Sequence, residues 1–117
     1  MLKEIYKRIL KKLNLSNSQL EVLKGRLTID NISSGPFIKE GKMCPNTNAL
    51  AIKLDIDMFA NSKDVRKQLN QSGVTNVELW FFYLLFDIPA VTSKVFFRNA
   101  LSKLQAAVNE LIFEHSE

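Results

Sequence analysis

Cys44 is the one thiol in the chain, and Pro45 follows it directly. Proline suits the first turn of a helix, so Cys44 falls at an expected helix N-terminus. The helix dipole and the nearby Lys42 would both favour a thiolate there, which makes Cys44 the candidate reactive thiol. The competing explanation is a small buried hydrophobe, the usual state of a free cysteine. The lone histidine, His115, lies at a terminus expected to fray and makes a poor base for it.

Leu54-Asp-Ile-Asp-Met places Asp55 and Asp57 at alternate positions, with Asn61 and Asp64 downstream. Such oxygen ligands suit Mg²⁺ or Ca²⁺, but the glycine and bidentate glutamate of a calcium loop are missing. No Cys/His cluster offers a zinc set. Alternating aspartates on an exposed strand explain the pattern more simply, so no metal ligand and no cofactor is assigned. Gly35 to Met43 resembles a phosphate loop only superficially. Five residues separate Gly35 from Gly41 where that loop has four, and Met43 replaces the hydroxyl that would hold Mg²⁺.

The N-terminal arm is the most suggestive segment. Residues 1–26 carry seven Lys/Arg and two Glu, a net charge of +5, and the remainder carries −1. Lys7, Arg8, Lys11 and Lys12 share the polar face of one expected helix. They are the candidate contacts for an acidic partner or for nucleic-acid phosphates. A solvated helix face accounts for the same pattern. The aromatics cluster at 80–86 away from these cations, which argues against a stacking platform for single strands.

These residues need elements to position them. Leu2, Ile5, Tyr6, Ile9, Leu10 and Leu13 recur at helical spacing and predict a helix over 2–13. Ser16 and Gln19 fit a capping box, with Leu15 and Leu20 as a staple, and predict a helix over 17–25 with Gly25 at its end. A further helix is expected near 46–53, and another over 63–71, closed by Ser72-Gly73. Thr75 with Glu78 and Val74 with Leu79 form a second box and staple, predicting a helix over 76–86. Leu79 to Phe86 is apolar on every side, so this helix is expected at the buried centre, with Asp87-Ile-Pro ending it. Thr92 should then cap a helix over 93–113. That helix's broad stripe suits a core or a dimer seam, which leaves a homodimer open.

The expected fold is therefore all-α: a compact single-domain bundle, 1–117, of five to six helices around a central hydrophobic helix. The alternative is an α+β fold in which 27–32 pairs with 54–58 in a small two-stranded edge sheet. A chain of 117 residues, 46% hydrophobic and 24% charged, can bury such a core unaided. The longest apolar run, eight residues, is far short of the ~20 that span a bilayer. The N-terminus lacks the apolar stretch of a signal peptide, so a cytoplasmic location is expected. No nucleophile, base and orienter converge in the sequence, and no catalytic residue is assigned. The function expected is a non-enzymatic interaction protein, a small adaptor, regulator or inhibitor, that binds an acidic protein partner through the basic N-terminal face. Nucleic-acid binding is the alternative, and a thiol- or metal-dependent enzyme the third reading.

Overall fold

The apolar stripe of the first segment coils as its spacing requires. In the computed structural model, which describes residues 1–34 and 37–116, α1 (Leu2–Leu13) buries Leu2, Tyr6, Ile9, Leu10 and Leu13. The Ser16–Gln19 capping box makes both of its hydrogen bonds and opens α2 (Asn17–Arg26). The helix runs one residue past Gly25, and Leu27 takes the C-cap position.

The segment after α2 makes turns, not a strand. The Asn31 and Ile32 amides both donate back to the Thr28 carbonyl. The small sheet forms elsewhere, between β1 (Ile38–Lys39) and β2 (Lys42–Met43), with Lys39 opposite Lys42. Glu40 and Gly41 join them with φ of 51° and 77°. Two successive positive φ values match the twist of a tight hairpin, and so the glycine of the phosphate-loop lookalike serves a turn. The Gly35-Pro36 end of that motif lies outside the described residues. The edge sheet expected from 27–32 and 54–58 does not form. Ile32 makes only a single parallel bridge to Met43, and Leu54 ends a helix.

That helix, α3 (Pro45–Leu54), is the most enclosed element, with every residue from Pro45 to Ile52 buried. Cys44 is its N-cap, and Asp55 closes it in the left-handed region at φ 56°. α4 (Ser62–Gln71) follows, capped by the Asn61 side chain, and Gly73 turns the chain at φ 96°. The Thr75–Glu78 box then opens α5 (Asn76–Phe82) as expected. Asp87-Ile-Pro does not stop it. The chain passes through a π-helical turn, Tyr83–Asp87, into α6 (Ile88–Thr92). The wider turn relieves the clash and the lost amide that Pro89 would bring to an α-helix. Ser93 breaks the rod in extended backbone. Ser93, not Thr92, caps α7 (Lys94–Ser116) by accepting from the Phe96 amide, while the Thr92 hydroxyl donates back to Ile88.

α7 lays Ala100, Leu101, Leu104, Ala107, Val108 and Leu111 against α1 and α2 and also packs on α6. The all-α bundle is thus as expected, but its centre is α3. The 76–86 segment is amphipathic in place: Leu79, Phe82 and Phe86 are buried, whereas Trp80 is 58% exposed and Phe81, Tyr83 and Leu84 face outward with it. No single helix among the described residues is long and apolar enough to cross a membrane.

Phe86→Ala should therefore cost about 3–5 kcal/mol of unfolding free energy, as large core truncations do. Trp80→Ala should cost under about 1 kcal/mol, like other surface changes. Urea unfolding of both variants measures the difference, and equal losses would return Trp80 to the core.

Candidate functional site

The basic face comes first, because the structure spends most of it internally. Arg8 Nε lies 2.9 Å from Glu78 Oε2, and Lys12 Nζ donates to Glu78 Oε1 at 2.5 Å. Lys7 reaches Glu110 and Glu114 on α7, at 3.4 and 3.2 Å, and Lys3 pairs with Glu110 at 2.8 Å. Of the four candidate cations only Lys11 has no ion pair among the described residues. The carboxylates that answer this face come from residues 66 to 107 positions away, which no local reading of charge could match to it.

Glu78 is the hub. It is 5% exposed, and its Oε1 also accepts from the Thr75 amide and hydroxyl. Burial alone pushes its carboxyl up. The hydrogen bonds from Lys12 and Thr75, with the Lys12 charge, outweigh burial and hold it below the ordinary carboxylate value.

Cys44 sits at the expected helix N-terminus but is 3% exposed. Its Sγ accepts from the Thr47 amide and lies 3.1 Å from Thr47 Oγ1. Burial pushes the thiol up to about 11, and the Thr47 hydrogen bonds offset only part of that rise. It therefore stays protonated at neutral pH and acts as a cap. His115 bonds Asn17 through Nδ1 at 2.8 Å. Asp55 caps α3 and Asp57 is exposed in the following loop. No group of three or more His, Cys, Asp or Glu that could hold a metal gathers among the described residues.

Two features escaped the sequence. The first is a groove of about 890 Å³ bounded by Phe37, the start of α3, the start of α4 and the side of the 76–87 helix that carries Asn76, Trp80, Tyr83 and Asp87. One wall is the stacked pair Trp80–Tyr83, with centroids 5.5 Å apart. Across from it Arg66 lies over the Phe37 ring at 5.6 Å. Asn46, Cys44 and Asp87 line the groove, and all three are buried. The π turn belongs to this site, since Tyr83 and Asp87, its first and last residues, both face the groove. Such turns recur at functional sites. The second feature is an exposed apolar run, Val77, Phe81, Leu84, Ile88 and Val91, spaced four, three, four and three residues apart.

Glu78→Gln should lower stability at neutral pH, by an amount that shrinks as pH falls. The folded-state pKa is depressed, so the contribution is complete above the ordinary carboxylate value and vanishes through the folded value. Denaturant midpoints of both proteins between pH 7 and pH 3 test this, and a pH-independent gap contradicts it. For Cys44, a disulfide reagent at pH 8 should label the native protein at least about 100-fold more slowly than the urea-unfolded chain, because thiolate is the reactive form.

No protein-family model, no curated protein and no solved structure matches the chain.

Proposed function

We propose that the protein is a non-enzymatic interaction module, an adaptor, regulator or inhibitor, whose docking face is the outer side of the 76–92 rod, and that it takes an acidic, apolar-anchored segment of another protein. The observation that carries this is the exposed run Val77, Phe81, Leu84, Ile88 and Val91, with Val95 and Phe96 at the start of α7 also exposed. Exposed apolar patches mark binding faces. Its three-and-four spacing is the register of helix-mediated recognition.

Charge selects the partner. Between residues 79 and 109 the exposed charges are Lys94, Arg98 and Lys103, and the one acid, Asp87, is buried. None of these three cations has an ion pair among the described residues. A partner whose apolar anchors are flanked by Asp and Glu matches both properties. The N-terminal face is a weaker candidate, since Lys7, Arg8 and Lys12 already meet carboxylates. The same pairing thins the phosphate contacts that nucleic-acid binding would draw on.

A random peptide library selected on the protein, with the Phe81→Asp/Ile88→Asp variant as counter-target, tests the proposal. Expected is enrichment of sequences combining Asp or Glu with Leu, Ile or Phe. Their affinity should fall at least about tenfold on the variant and also on Lys94→Glu/Arg98→Glu, and should weaken with salt. Enrichment of basic sequences, or none beyond the counter-target, overturns the reading, as does a concentration-dependent dimer that masks this face.

A further inference from the structure

The groove behind Trp80 carries a second inference, independent of the docking face. Its volume, about 890 Å³, falls within the range of small-molecule sites. Its chemistry is ordered from floor to rim. On the floor Asn46 is 2% exposed, and its Oδ1 has no hydrogen-bond partner among the described residues. A buried acceptor left without a donor is costly and uncommon. It lies in the groove lining, so a donor arriving there would satisfy it. The buried Asp87 lines the groove as well. An unmet amide oxygen at depth calls for an N–H donor.

The walls ask for a flat, apolar body. Trp80 and Tyr83 stack with an interplanar angle of 19° and present a continuous aromatic surface, and Phe37 stands with them in the lining. The rim reverses the polarity of the floor. Lys63 and Arg66, in the first turns of α4, line it, and neither has an ion pair among the described residues. An anionic group is favoured there by both charges and by the N-terminal end of the ten-residue α4.

We infer that the groove is a binding site for a flat heteroaromatic small molecule with N–H donors at one end and an anionic tail at the other, the chemistry of a mononucleotide, with the base directed to Asn46 and the phosphate to Lys63 and Arg66. The ring stacks along Trp80. An exocyclic amine or ring N–H donates to Asn46 Oδ1. No bond is made or broken.

Trp80 is the one tryptophan in the chain, so its indole N–H gives a single resonance in a ¹H–¹⁵N spectrum and reports directly on the wall. Titrations with AMP, GMP, CMP and UMP are expected to shift that signal saturably for at least one of them, with Kd below about 1 mM, an affinity of roughly 4 kcal/mol. Adenosine and inorganic phosphate, which each carry half of the chemistry, should bind at least tenfold more weakly than AMP if AMP is the ligand, and the matching nucleoside serves for another base. Lys63→Glu/Arg66→Glu, both on the surface, should lose the phosphate-dependent part. Asn46→Leu should lose the base-dependent part, with the folded spectrum as its control. Phe81→Asp/Ile88→Asp should bind nucleotide as before, which separates this site from the docking face. No saturable shift with any of the four, a shift with inorganic phosphate as large as with nucleotide, or unchanged affinity in Lys63→Glu/Arg66→Glu overturns the inference.

Discussion

Glu78 stands where the first helix meets the fifth, and much of the surface follows from how its charge is met. An acid this enclosed must be paired, and its partners fix the register of two elements. Thr75 binds it as the closing half of the α5 capping box, which sets where the 76–92 rod begins. Lys12 and Arg8 bind it from α1, which sets how α1 is rotated against that rod. With this rotation, Tyr6 turns inward to lie 5.5 Å from the Phe82 ring, and its hydroxyl donates to the Pro45 carbonyl. One carboxylate thus links the N-terminal helix to the start of the long rod, and through that rotation α1 is joined to the buried helix α3. It also removes two cations from the face that the sequence offers as a binding surface.

The local devices were legible because they are local. Ser16 with Gln19 and Thr75 with Glu78 make the hydrogen bonds that their spacing implies, and the 3.6-residue stripe of α1 buries Leu2, Tyr6, Ile9, Leu10 and Leu13 and half-buries Ile5. Helix number and most boundaries follow from signals of this range. What failed needed long-range knowledge. An all-apolar octapeptide reads as a core element, yet burial depends on what the rest of the chain brings to each side. Here α3, only moderately apolar and opened by Pro45-Asn-Thr-Asn, takes the centre. Its polar start is tolerated because Asn48 donates to the Met43 and Cys44 carbonyls and Thr47 engages the Cys44 sulfur. A buried asparagine that satisfies two carbonyls looks, in sequence, the same as a solvated one.

The π turn shows the same limit at smaller scale. Pro89 two residues after Asp87 is a reasonable stop signal, since proline removes a helical hydrogen bond and its ring crowds the preceding turn. The chain avoids the stop by widening one turn, Tyr83–Asp87. That choice has two consequences for the site. It keeps the rod continuous from Asn76 to Thr92, which leaves the outer apolar run unbroken. It also brings Tyr83 and Asp87 to the same groove, one as an aromatic wall and one as a buried carboxylate. The groove itself joins residues from 37 to 87 through four elements, so no motif in the sequence announces it.

Formal charge by segment ranks the N-terminal arm as the basic pole, at +5 over residues 1–26 against −1 over the rest. Folding changes where that charge is available. Lys3, Lys7, Arg8 and Lys12 of the arm are answered by Glu78, Glu110 and Glu114. The cations left without an ion pair among the described residues include Lys63 and Arg66 at the groove and Lys94, Arg98 and Lys103 beside the apolar run. Electrostatic attraction for an incoming group depends on this residual charge, not on the count along the chain, because a compensated pair presents a dipole whose field falls faster with distance than that of a lone ion. Both surfaces proposed for binding are therefore the places where positive charge and apolar area remain together after the chain has settled its own pairs.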